Sequence, residues 1–167
     1  MVPEPEREVS AGAPAADVAN LGPIRPPLVY LGSIGLGLLV HWFWSVPLLP
    51  PSINLPVGAT LVLAAIALFI SAVRTFRKAD TPVPGNRPTT IIVRTGPYRF
   101  SRNPIYLAFT LFQVGLAACI NSLVLLITVV PALALIVLVV IPREERYLEA
   151  RFPSEYLPYK REVRRWL

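Results

Sequence analysis

NPIYLAFTLFQVGLAACINSLVLLITVVPALALIVLVVIP, residues Asn103 to Pro142, contains no Asp, Glu, Lys or Arg. A helix needs about 20 apolar residues to cross a hydrocarbon core, and a run about twice that long predicts two spans folded back on one another. Asn121-Ser122 supplies the turn between them, and Pro131 predicts a kink in the second. A second charge-free run, Pro26 to Val73, lies upstream and is broken by Pro47, Pro50, Pro51 and Pro56, so it predicts another pair. The expected fold is therefore all-α: an integral membrane bundle of four transmembrane helices near 28–49, 57–76, 104–119 and 123–141. A mean hydropathy of +0.56, with 54% hydrophobic and 16% charged residues, agrees.

The charges sit between and after these runs. Arg74 to Arg102 holds seven basic residues and one acidic, and the chain after Pro142 holds seven basic and five acidic. The turns around Pro50-Pro51-Ser52 and Asn121-Ser122 hold none. The positive-inside bias then predicts a cytoplasmic 74–102 segment and cytoplasmic N- and C-termini. Topology accounts for the net charge of +6, leaving no need for a nucleic-acid partner. Residues 1–26 are rich in Ala, Pro and Glu without apolar periodicity and are expected to be disordered, with no signal-peptide cleavage. Residues 27–167 form the membrane domain. The single Cys119 excludes an intrachain disulfide and a multi-cysteine metal site, and no metal is expected. His41 stands beside Trp42, Phe43 and Trp44 with no ionisable partner, which reads as an aromatic interfacial belt. Gly32, Gly35 and Gly37 are candidates for close helix approach.

A bundle without charge holds no acid, base or nucleophile, so chemistry belongs to two polar pieces, 80–106 and 142–167. In the first, Pro82, Pro84, Gly85 and Pro88 forbid regular helix, and Thr90-Ile91-Ile92-Val93 is an extended run too short to span. Gly96-Pro97 predicts a turn, and Asn103-Pro104 predicts a helix start with Asn103 as N-cap. In the second, Arg143 to Phe152 alternates charges and places Leu148 and Phe152 one turn apart, as in a surface helix that Pro153 ends. Glu144 and Glu145 are about 100° apart on such a helix, so only one faces a given ligand. Carboxylates complement an ammonium, and arginines with a helix N-terminus complement a carboxylate, which together suit a zwitterionic small molecule. The same residues also describe an ordinary basic loop and a solvated charged helix.

At these positions the sequence resembles the isoprenylcysteine carboxyl methyltransferase and phospholipid methyltransferase family of membrane enzymes. The first shared pattern is Gly96-Pro-Tyr98 through Arg102-Asn-Pro-Ile-Tyr106; the second is Glu-Glu-x-x-Leu-x-x-x-Phe-x-x-Glu-Tyr-x-x-Tyr from Glu144 to Tyr159. The resemblance implies methyl transfer from S-adenosylmethionine to a lipophilic acceptor arriving from the bilayer. It implies cofactor contacts at Thr90, Ile91, Ile92, Val93, Tyr98, Asn103, Pro104, Ile105, Tyr106 and Glu145, with Glu144 and Arg143 at the acceptor. The chain departs from the family in carrying Asn103 where histidine is common and Val140 where carboxyl methyltransferases place an arginine. The acceptor is accordingly open between an isoprenylcysteine-like carboxylate or another isoprenoid lipid and the amine of a phospholipid. A reading of another class is a non-catalytic four-helix membrane protein that binds anionic lipid. Oligomeric state is not legible.

Overall fold

Helix α1, Pro26–Phe43, begins with two prolines, whose missing N–H groups cost nothing in a first helical turn. It stops at Phe43 and not near residue 49, because Trp44 to Pro51 adopts extended and turn conformations dictated by Pro47, Pro50 and Pro51. The computed structural model describes residues 24–81 and 90–167. The expected disorder of 1–26 and the proline-rich loop from Pro82 to Pro88 therefore fall largely outside the described residues.

Helix α2, Asn54–Lys78, starts before the expected residue 57 because Pro56 sits in its first turn, where no N–H is owed to the helix. A short 3₁₀ turn, Gly96–Arg99, leads to α3, Pro104–Ile120, and α4 then runs from Leu123 to Arg151. Helix α5, Pro153–Glu162, closes the described chain. All regular structure among the described residues is helical. Helices α1, α2 and α4 are long and apolar enough to cross a membrane. Helix α3 is apolar but has 17 residues, about 25 Å of rise.

Helix α2 carries Gly58, Ala65 and Ala72 as buried residues at a seven-residue spacing, and α3 answers with Ala108 and Gly115. Between apolar helices in lipid there is no hydrophobic drive to pair, so close van der Waals approach through small residues takes its place. The approach is tight: a Cβ on Gly115 would stand 2.8 Å from the Val62 nitrogen, and one on Gly58 would stand 2.8 Å from the Gly115 carbonyl oxygen. Of the three glycines suggested in α1, only Gly37 is crowded, against Leu125 and Thr128; Gly32 and Gly35 face open space. Gln113, fully buried in α3, ties the bundle laterally by donating to Ser33 Oγ at 2.7 Å and Thr128 Oγ1 at 3.2 Å.

The expected turn at Asn121-Ser122 is present. Asn121 takes the left-handed conformation (φ 59°) that asparagine tolerates, and Ser122 caps α4 by accepting from the Leu125 N–H at 3.2 Å. Asn121 Oδ1 also accepts from the Leu48 and Leu49 amides at 2.8 and 2.7 Å, so one side chain pins the α1–α2 connection to the α3–α4 turn. Beside them Trp42, Phe43 and Trp44 are exposed, Trp42 by 85%, consistent with an aromatic belt.

Helix α4 departs most from expectation. It does not stop at Pro142 to give way to a separate surface helix; the charged residues up to Arg151 continue it. The cause is a π-helical turn at Ile136–Val140, in which the Ile141 N–H reaches back five residues to the Ile136 carbonyl. In a regular α-helix the Pro142 ring would meet the Leu138 carbonyl. The wider turn absorbs one extra residue and lets the proline through.

Candidate functional site

Glu144 and Tyr106 meet where α4 emerges from its charge-free run and α3 begins. The Tyr106 hydroxyl donates to Glu144 Oε1 at 2.6 Å, linking residues 38 apart in sequence. Tyr106 is held by the apolar cluster of Tyr30, Ile136, Val140 and Ile141, against which Trp166 also packs. The Tyr30 hydroxyl lies 2.7 Å from Thr110 Oγ1, and Thr110 donates to the Tyr106 carbonyl at 2.9 Å. Glu144 Oε2 has no hydrogen-bond partner among the described residues. Burial pushes the Glu144 carboxyl up to about 7; the Tyr106 hydrogen bond opposes the shift and the neighbouring Glu145 charge adds to it.

Glu145, one residue on, has a different setting. It is 6% exposed and faces three cations, the most distant being Lys160, whose Nζ lies 4.0 Å from Oε2. Arg102 Nη1 lies 3.1 Å from its Oε1, and Arg165 grips both oxygens, Nε at 3.1 Å and Nη2 at 2.7 Å. That bidentate contact is the geometry in which guanidinium and carboxylate bind best. Backbone bonds reinforce it: the Arg102 N–H donates to the Arg164 carbonyl at 3.0 Å, and Asn103 Nδ2 donates to the Arg165 carbonyl at 3.1 Å. The residues after α5 are thereby strapped onto the turn that opens α3.

Asn103 occupies the N-cap position of α3, but its side chain does not cap; it is spent on Arg165. Pro104 is fully buried, and Ile105 packs against both apolar clusters of the bundle. Val93 and Tyr98 are buried together with Ala72 and Phe76, Tyr98 meeting Phe76 edge-on at 4.9 Å between ring centroids. Ile91 is exposed and Ile92 partly buried. The Thr90 hydroxyl and amide both bond Thr81 Oγ1, at 2.8 and 3.1 Å. Arg143 is exposed and makes no ion pair with another described residue. The structure thus brings Tyr106 and Glu144 into contact and gathers Val93 and Tyr98 nearby, while Glu145 is turned toward arginines.

One contributor escapes a reading of the sequence alone, as does the contact made by a second. Arg165 stands in a basic Arg-Arg-Trp tail that looks like any interfacial anchor. Tyr159, visible in the second pattern, turns out to donate its hydroxyl to the Tyr98 carbonyl at 2.8 Å, tying α5 to the 3₁₀ turn. An apolar groove of about 350 Å³ opens between α1, α2 and α3, lined by Tyr30, Ile66, Phe69, Phe109 and Phe112. Tyr30 is common to this groove and to the cluster that holds Tyr106. Among the described residues no group of three or more His, Cys, Asp or Glu is placed to hold a metal ion.

Residues 53–155 match the model of the phospholipid methyltransferase family, well over half of the chain. The chain belongs to that family of membrane methyltransferases. Over 75 residues it is 36% identical to the cobalt-zinc-cadmium resistance protein CzcN of Cupriavidus metallidurans, an alignment covering 45% of this chain and 34% of that protein. The match thus spans about a third of that relative. No solved structure matches the chain.

Proposed function

We propose that this chain methylates a lipophilic acceptor, with S-adenosylmethionine as donor, at the charged end of a bundle in which α3 is a fourth membrane crossing. The observation that carries the reading is the Tyr106–Glu144 contact, a half-buried carboxylate with one oxygen unpartnered among the described residues, beside an apolar groove open between the helices. The carboxylate complements a cationic group, and the donor carries both an α-ammonium and a sulfonium. When bound, S-adenosylmethionine would supply a methyl group on its own leaving group, so the protein needs no nucleophile of its own; an amine acceptor gives up one proton, to water or a nearby carboxylate, for each methyl it gains. What remains for the residues is alignment, exclusion of water and placement of charge.

Glu144 takes the role of charge partner and Tyr106 orients it. Tyr98, with Val93 packed beside it, forms the wall next to them, with Asn103, Pro104 and Ile105 holding the start of α3 in place. Glu145 acts through Arg102 and Arg165, fixing the turn, and Arg143 remains the exposed cation available to an acidic acceptor. A phospholipid amine is favoured over a prenylcysteine carboxylate, because Val140, at the position of the missing arginine, is 1% exposed and sealed in the apolar cluster. The acceptor's tail lies in the groove beside Phe69, Phe109 and Phe112. The charged end faces the cytoplasm, as the distribution of Lys and Arg favours.

The test is transfer of labelled methyl from S-adenosylmethionine to extracted lipid by the purified protein in lipid nanodiscs. Label in an aminophospholipid is the expected result. Absence of both transfer and donor binding, with helical content intact, overturns the reading.

A further inference from the structure

On the opposite flank of the α2 terminus from its buried Ala72–Phe76 face lies a second groove, of about 530 Å³. Its polarity runs in one direction. Ala67 and Ile70 line the end nearer the middle of α2, Ser71 and Thr75 the middle, and Arg74 and Lys78 the end where the helix leaves its charge-free run. The wall is the backbone of Gly96, whose left-handed φ of 58° lets the 3₁₀ turn press on α2; a Cβ there would stand 2.6 Å from Thr75 Oγ1.

Arg74 and Lys78 are exposed and form no ion pair with another described residue. Residues 82–89 contain no acidic side chain. Thr75 spends its hydroxyl hydrogen on the Ser71 carbonyl at 2.8 Å, so the cations are the groove's charged donors. A ligand that fits must carry negative charge at one end and hydrocarbon at the other. We propose that this groove binds an anionic phospholipid, its phosphate between Arg74 and Lys78 and its first methylenes against Ala67 and Ile70. The site is separate from Glu144 and does not rest on methyl transfer. The plainer reading, that these cations merely follow the charge bias of one membrane face, predicts that any two cations at this end act alike.

The experiment titrates the detergent-purified full chain with short-chain phosphatidylglycerol, reading retained ligand by native mass spectrometry. Phosphatidylcholine and glycerol 3-phosphate serve as parallel arms. Phosphatidylglycerol is expected to be retained saturably, with at least about a tenfold preference over phosphatidylcholine, since each cation near a membrane surface contributes roughly fivefold. Arg74→Gln/Lys78→Gln abolishes that preference, and Lys78→Gln alone reduces it roughly fivefold. The charge-matched pair Arg77→Gln/Arg151→Gln leaves it intact, and all these positions are exposed. Equal loss in both double variants, or no loss in Arg74→Gln/Lys78→Gln, overturns the site. Retention of glycerol 3-phosphate as tight as that of the lipid overturns the lipid assignment in favour of a soluble phosphate.

Discussion

Glu144 and Glu145 are adjacent in sequence and opposite in circumstance. Glu145 has both oxygens committed to guanidinium groups arriving from two directions, the α3 turn and the tail after α5. Among the described residues Glu144 has one phenolic partner and an oxygen left over. A carboxylate saturated by arginines is a structural joint; one that is desolvated and half-partnered is available to a ligand. Helical geometry separates the two by about 100°, so that with Glu144 facing Tyr106 its neighbour is turned to the arginines.

The comparison breaks most severely at Glu145. Glu145→Ala leaves the Arg102 guanidinium, whose side chain is 10% exposed, without its carboxylate. Removing one partner of a buried pair costs about 3–5 kcal/mol, so this variant is expected to show the largest drop in apparent melting temperature of the detergent-solubilised protein. A melting curve unchanged from the parent would dissolve the distinction between the glutamates.

Glu144→Gln is expected to keep the fold and lose the ligand. Dissociation constants for S-adenosylmethionine should rise roughly tenfold to a hundredfold at pH 8, the effect of losing a charge-assisted contact of about 1.5–3 kcal/mol. The same residue sets a pH dependence. Because burial raises its carboxyl to about 7, the neutral acid prevails below that pH and the carboxylate above it. Binding of a cationic donor by the parent should therefore tighten as pH rises from about 6 to about 8, with most of the change near the carboxyl's pKa. Glu144→Gln should flatten that slope; a slope surviving in the variant would move the titrating group elsewhere. Tyr106→Phe gives the smallest effect, a weakening of a few fold, worth about 0.5–1.5 kcal/mol for one hydrogen bond. If it matched Glu144→Gln, Tyr106 would be contacting the donor itself rather than orienting the carboxylate.

Much of the bundle was legible because membrane burial is a strong filter on sequence. The gaps in charge located the helices, and Asn121-Ser122 announced its turn through residues suited to left-handed backbone and capping. The ends were less legible. Pro56 looks like a breaker but falls in a first turn, while Pro142 looks like a terminator and is bypassed by a π turn that aliphatic residues do not advertise. The two polar pieces were recognisable as one candidate site, yet the division of labour between Glu144 and Glu145 was not. It depends on Arg165, an arginine 20 residues away that resembles any other in a basic tail. Local pattern reports which residues are polar; only the packed chain decides which of them find partners.

The π turn also couples Pro142 to the length of the helix before it. An extra residue accommodated locally leaves the helix on either side in its former frame, so its loss would return Ile136–Val140 to an ordinary helix without moving the ends. The burden would then fall on Pro142, whose ring would meet a carbonyl that the wider turn now holds clear. Wider turn and proline therefore form a compensated pair: a variant shortened by one residue within Ile136–Val140 is expected to tolerate Pro142 poorly, and Pro142→Ala in the same variant to relieve it.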